Sequence, residues 1–354
     1  MDTYSKPIAE RIDWLMDHAR RHSEAFRSPE SWLARNRYLA EHPTAITVLK
    51  CMDGRINIPV ATSTPTGIIQ PFRNLGGRFD LGWPHLGETL AHNVEGVVSQ
   101  GRRVMVLITY HYSKGDPHRG CAGFNYDTGA ARAHTFDIKA QVEEVFGHGH
   151  GTVYPVVCGF ETDEDALILH GSTGATLDVS TLTNADTPTL PARLADLFPD
   201  MPEQMRRDLL PLVEGNIAHI HQVKQLNRQL DIEHREWMIC VGRGFDWLHM
   251  PNLALIIGPY SPDLADPIRK AAGIIQNNMK AGRIPDDGFL LLASVPYTDI
   301  GVDRARAELK SRFMSRFAAE VIQAEFPELA KKMHRRTAVL DWRSRAMELV
   351  GSEG

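Results

Sequence analysis

Cys51, Asp53 and Arg55 stand on alternate positions at the end of the apolar run Ala45-Ile46-Thr47-Val48-Leu49. A buried strand that finishes this way brings a soft metal ligand, a carboxylate and a guanidinium into one small volume, which serves chemistry rather than packing. A second β-branched run, Val104-Met105-Val106-Leu107-Ile108-Thr109-Tyr110, is too short for a helix and leads to His111. The Gly- and Pro-containing loop from Tyr112 to Gly120 then reaches Cys121. One imidazole and two thiolates suit zinc with an open fourth position.

Cys51-Met52-Asp53-Gly54-Arg55, then Arg73-Asn74-Leu75-Gly76-Gly77, a strand-end histidine and Cys121-Ala122-Gly123 resemble the zinc site of the β-class carbonic anhydrases. Most of that class place the cysteine three residues after the ligand histidine. The longer spacing here resembles the divergent branch found in carboxysome shells, as does Trp237-Met238-Ile239-Cys240-Val241-Gly242-Arg243-Gly244-Phe245 in the second half. The resemblance covers roughly residues 40 to 354. It implies one zinc ion per chain on Cys51, His111 and Cys121, and reversible hydration of carbon dioxide to bicarbonate by a zinc-bound hydroxide. Asp53 would accept a hydrogen bond from that hydroxide or swing into the fourth coordination position, and Arg55 would clamp Asp53 bidentately and hold it off the metal. Two thiolates leave little net charge on the ion, so its water should be less acidic than the pKa of about 7 reached in a three-histidine site, and activity should be best on the alkaline side of neutral.

Other readings stay open beside this one. His118 rivals His111, because His118-Arg119-Gly120-Cys121 has the short spacing of the commoner motif; the strand-end position favours His111. The same scaffold could hydrolyse carbon disulfide or carbonyl sulfide, or a zinc ion could merely stabilise a non-catalytic scaffold, although a structural site wants four protein ligands and has no use for the Asp53 and Arg55 pair. Cys158 and Cys240 lie inside apolar strands and read as small hydrophobes. His148 and His150 read as a solvated turn, the run from Glu161 to Asp165 as an exposed hairpin tip, and Trp83, Trp237 and Trp247 as core or interface.

The elements that must position these residues alternate between strands and helices. With 354 residues and ordinary apolar and charged fractions, the chain is long enough for two cores or one large one. A net charge of −5 with mixed signs offers no stripe for nucleic acid, and no segment approaches the roughly 18 uninterrupted apolar residues of a membrane helix. The opening residues lack a basic region followed by an apolar one, and four cysteines do not make a disulfide scaffold, so a reducing, cytoplasmic setting is expected. The resemblance raises the carboxysome as the alternative location, against which stands an amino-terminal region shorter than in the carboxysomal enzymes.

Residues 6 to 42 read as two amphipathic helices, with Ser28-Pro29-Glu30 as a capped start. In the β class such an arm embraces a second subunit, which implies a homodimer or higher homo-oligomer. Strand, loop, strand, helix, strand then follow, the pattern of a mostly parallel α/β sheet flanked by helices with its site at the carboxyl ends of the strands. Residues 153 to 172 read as a hairpin, 173 to 195 as a linker rich in Thr, Pro and Asp, and 202 to 231 as a long helix. The strands around 236 to 241 and 289 to 297 and the final hairpin down to Gly351-Ser352 retrace the first half without its Cys, His and Cys. The expected division is an arm (1–43), a zinc-binding catalytic domain (44–185), a helical linker (186–231) and a degenerate copy without metal (232–354).

Overall fold

A computed structural model of the chain describes residues 3–226, 232–245, 247–248, 250 and 252–351. The elements α1 (Ile8–Arg27), α2 (Pro29–Glu41), β1 (Ala45–Cys51), α3 (Ile58–Ala61), β2 (Ile69–Asn74), α4 (Pro84–Val98), β3 (Val104–Tyr112), α5 (Thr128–Phe146), β4 (Val153–Glu161), β5 (Ala166–His170), β6 (Thr176–Asp178), α6 (Leu190–Leu197) and α7 (Glu203–Val223) make up the first part of the chain. They are followed by β7 (Met238–Gly242), β8 (Ala254–Ile257), α8 (Ala265–Lys280), β9 (Phe289–Tyr297), α9 (Val302–Glu325), α10 (Pro327–Ala330), β10 (Met333–Asp341) and β11 (Met347–Leu349). Two compact units result. One comprises Leu33–Cys51 and Ile56–Ile232; the other comprises Met1–Trp32, Met52–Arg55 and Glu233–Gly354.

The first unit is built on a six-stranded sheet in the order β2-β1-β3-β4-β5-β6. The pairs β1 with β2, β1 with β3 and β3 with β4 are parallel, and β4, β5 and β6 pair antiparallel. Every residue of β4 is buried, and β1 is buried from Ile46 to Cys51, which is why these strands are near-continuous apolar runs rather than alternating ones. Parallel strands need crossover connections, and α4 and α5 supply two of them.

The second unit repeats the plan. Its five-stranded sheet has the order β8-β7-β9-β10-β11, and β7 with β8, β7 with β9 and β9 with β10 are parallel, while β10 with β11 is antiparallel. Strand for strand, order and sense match β2-β1-β3-β4-β5, so the fold is α/β and duplicated, as the retraced sequence pattern implied. Trp237 and Trp247 are core residues, 0% and 1% exposed. Arg11 is fully buried and paired with Asp287 at 2.5 Å, its guanidinium lying 5.1 Å from the Trp237 ring centroid.

Residues 173 to 195, expected to be a linker, are folded instead. Strand β6 extends the sheet, Asp178 accepts the backbone N–H of Ser180, Thr183 and Asp186 form a capping box, and Val179, Leu190 and Leu194 are buried. The Thr and Asp side chains that suggested a solvated tether are turn and cap residues. The long helix ends at Val223; residues 227–231 of its expected span, and Ser352 of the expected final Gly-Ser turn, lie outside the described residues. No helix among the described residues is long and apolar enough to cross a membrane.

Burial lowers the pKa of His18, His134 and His170 from the usual 6.5. Between those lowered values and 6.5 the unfolded chain holds more protons than the folded one, so stability is full above 6.5 and declines as pH falls through this window. Thermal midpoints measured from pH 8 to pH 5.5 should therefore drop. His134→Gln should make the drop shallower; an unchanged slope in that variant would remove His134 from the account.

Candidate metal centre

Cys51 closes β1 and His111 is the penultimate residue of β3, so both stand at the carboxyl ends of neighbouring parallel strands. Cys121 arrives by a short helical turn, Pro117–Arg119, and opens another, Ala122–Phe124. The Sγ atoms of Cys51 and Cys121 and a ring nitrogen of His111 lie within 4.8 Å of one another, and all three residues are buried. His118 is exposed on its turn, packed edge-on against Tyr126, and takes no part in this cluster.

Backbone close approach makes the cluster possible. Gly77 has φ +65°, and a Cβ there would meet the Thr109 carbonyl at 3.1 Å and the Cys51 nitrogen at 3.4 Å. Gly76 and Gly123 lie back to back: a Cβ on Gly123 would sit 2.5 Å from the Gly76 Cα. Only glycines let the loop after β2 and the turn after Cys121 pack this tightly on the strand ends.

The acidic run from Glu161 to Asp165, expected as an exposed hairpin tip, is a clamp on the Cys121 loop. Glu161 is fully buried and accepts the backbone N–H groups of Lys114, Asp163 and Glu164 at 3.0, 3.1 and 2.9 Å. Asp163 accepts the Ser113 hydroxyl at 2.9 Å and the Gly115 N–H at 2.7 Å. Burial pushes the Glu161 carboxyl up, and the backbone donors oppose that shift by binding the ionised form. His150 is likewise held, by Glu143 at 3.1 Å and Asp200 at 3.3 Å, instead of lying in a free turn.

The Cys51 thiol is pushed well above its ordinary pKa, first by its hydrogen bond with Cys121 and then by burial, while His111 acts in the opposite direction. Two buried sulfurs this close cannot both carry charge without a cation between them. A bound Zn²⁺ would remove that conflict, and two sulfurs with one imidazole are a donor set zinc accepts. The cluster therefore fits the metal. Cys158 has no such company; burial alone raises it to about 12, and Cys240 is fully buried in β7.

Asp53 and Arg55 belong to the other unit, where Met52–Arg55 lies along β8: the Ile256 N–H donates to the Met52 carbonyl at 3.0 Å and the Asn252 N–H to the Gly54 carbonyl at 2.7 Å. Arg55 grips Asp53 bidentately, Nε to Oδ1 at 3.0 Å and Nη2 to Oδ2 at 2.6 Å, with both side chains buried. The same Nη2 donates to Nε2 of His234 at 3.1 Å, and His234 Nδ1 lies 3.0 Å from Glu236. A guanidinium only donates, so Nε2 must accept and Nδ1 must carry the proton that bonds Glu236. Asp53, His234 and Glu236 come within 4.8 Å of one another, but the permanent charge of Arg55 already lies among them, which disfavours a second metal ion there.

No family model matches the chain. It is 25% identical over 239 residues to a carboxysome shell carbonic anhydrase of Prochlorococcus marinus subsp. pastoris (strain CCMP1986 / NIES-2087 / MED4). The relationship is carbonic anhydrase-like. The aligned region covers 59% of this chain and 47% of that relative, so the chain spans about half the length of the curated relative it matches.

Sequence reasoning missed His234 and Glu236, and it misread Glu161 and Asp163. His234 and Glu236 alternate just before a buried strand, which is their local signal; the meeting of His234 with Arg55, 179 residues earlier, has no local signature.

Proposed function

We propose that the chain is a zinc carbonic anhydrase that interconverts carbon dioxide and bicarbonate, with one ion per chain held by Cys51, His111 and Cys121. The buried sulfur, nitrogen and sulfur cluster at the ends of two parallel strands carries this reading, and the relationship to a carboxysome shell carbonic anhydrase supports it. Bound there by three protein groups, zinc would supply a Lewis acid with one coordination position left for an activated water.

The chain's own residues do the rest. Asp53, two positions after Cys51, accepts a hydrogen bond that orients the attacking group. Arg55 fixes the Asp53 carboxylate by its two-point grip, His234 accepts from Arg55, and Glu236 holds His234 in turn. Residues 44–185 are the catalytic part in this reading, and 232–354 is a copy that keeps the sheet but lacks the thiolates. Self-association belongs to the reading as well: α2 buries no side chain and exposes Trp32 (59%) and Leu33 (57%).

Stopped-flow hydration of carbon dioxide, with metal analysis before and after chelation, tests the proposal. The expected result is close to one zinc per chain and an acceleration of about 10⁶-fold or more over buffer, rising on the alkaline side and lost with the metal. Stoichiometric zinc without acceleration would make the protein a metal-stabilised scaffold instead.

A further inference from the structure

Helix α9, which carries the chain from β9 to β10, is apolar on two faces. Ala307, Met314, Ala318 and Ile322 are on the buried one. The opposite face carries Val302, Leu309 and Phe313, which are 78%, 68% and 55% exposed, and Phe317 stacks on Phe313 with 6.1 Å between ring centroids. A helix that only covers a sheet is polar on its outer side. Large apolar side chains following one another along a single exposed line mark an interaction surface.

The order of residues along that line selects the occupant. From Val302 the outer line runs through Arg306, Leu309, Phe313, Phe317 and Glu320 to Ala324, in steps of four, three, four, four, three and four. Read from either end the steps are the same, and Phe313 stands at the middle of α9. An antiparallel copy centred on Phe313 therefore sets Leu309 against Phe317 and Val302 against Ala324. Arg306 and Glu320, both at exposed positions, face each other twice, once on each side of the centre. A parallel copy would instead put arginine against arginine and glutamate against glutamate.

We propose that α9 docks antiparallel on α9 of a second copy of this chain, about a two-fold axis at Phe313. Such an interface is isologous, so the same stripe serves both partners, and the stripe must be complementary to its own reverse. Charge placed within an apolar helix seam fixes orientation and register, which is the part given to Arg306 and Glu320. Lys310 and Arg316 fall about 60° to either side of the centre line at 3.6 residues per turn, where their stems can cover the seam edges and their charged ends reach water. An anionic membrane surface suits the stripe less well, because Glu320 lies on its centre line. The seam is about 35 Å long at 1.5 Å per residue, so a dissociation constant on the order of 10 μM is expected. None of this draws on the zinc-binding residues.

Sedimentation equilibrium of the full chain over about 1–100 μM tests the pairing. Glu320→Arg should weaken one association step at least about tenfold, and adding Arg306→Glu to it should restore that step to within about threefold of the unaltered chain. Thermal midpoints establish that these variants, changed only at exposed positions, fold. A second readout fixes the geometry. The four native cysteines are buried, so Phe313→Cys offers an exposed thiol that should form a disulfide with its own equivalent under mild oxidation. Glu320→Cys should not, since its two copies would stand about 20 Å apart along the seam. Association that is unchanged in Glu320→Arg, failure of the double variant to recover, or cross-linking at position 320 as readily as at 313 would each overturn the proposal. A chain that stays monomeric throughout the range would overturn it in favour of a different protein as the partner of this face.

Discussion

Replacing His111 by alanine should abolish metal binding and carbon dioxide hydration together, a loss of at least about 10³-fold in turnover, because two thiolates alone leave a tetrahedral ion without its third protein donor. Cys121→Ser should behave in the same way. The effect exceeds the 10- to 100-fold typical of outer-shell changes because the donor itself is removed. His111 is 1% exposed at a strand end, so circular dichroism and thermal midpoints must accompany the metal analysis. Cys158→Ala is the control: that thiol is buried in β4 away from the cluster, and its loss should leave zinc content unchanged. A His111→Ala protein that still carries one zinc ion per chain would refute the ligand set, and His118 would be the next residue to test.

Arg55→Ala should be almost as damaging, by a different route. The substitution leaves Asp53, 5% exposed, without the bidentate cation that compensates its charge, and breaking a buried pair of this kind costs about 3–5 kcal/mol. If Asp53 orients the attacking group, kcat should fall by about 10²- to 10³-fold with metal content retained, which separates this variant from His111→Ala. Arg55→Lys should not rescue the activity, since a point charge cannot reproduce the two-point grip or donate to His234 with the same geometry. His234→Ala should lower kcat by about tenfold, as expected when a residue acts through its neighbour. Denaturant unfolding and stopped-flow rates check both halves of this expectation; wild-type turnover in Arg55→Ala would remove the pair from the mechanism.

The cysteine, aspartate and arginine at positions 51, 53 and 55, the strand leading to His111, and the retraced strand pattern of the second half were all legible in the chain. Each is a local feature. Buried parallel strands must be continuous apolar runs, and alternation of side chains is written in spacing of two, so these signals survive without any knowledge of what lies across the sheet. Gly76 and Gly77 were legible for the same reason, since a glycine pair beside a strand end announces a backbone that must come close.

What required the tertiary structure involves residues distant in the chain. The linear motif left His111 and His118 as rivals; the fold gathers His111 with both cysteines and leaves His118 exposed on its turn. The acidic run after β4 looked like a solvated tip because carboxylates usually prefer water, yet Glu161 and Asp163 have backbone donors across the loop that offset the desolvation. His234 reaches Arg55, with Glu236 holding its far side, only because strand order brings distant segments side by side. Composition and periodicity set which stretches become strands and which residues end them; proximity between distant side chains is a property of how those strands are ordered, and no single stretch of the chain carries it.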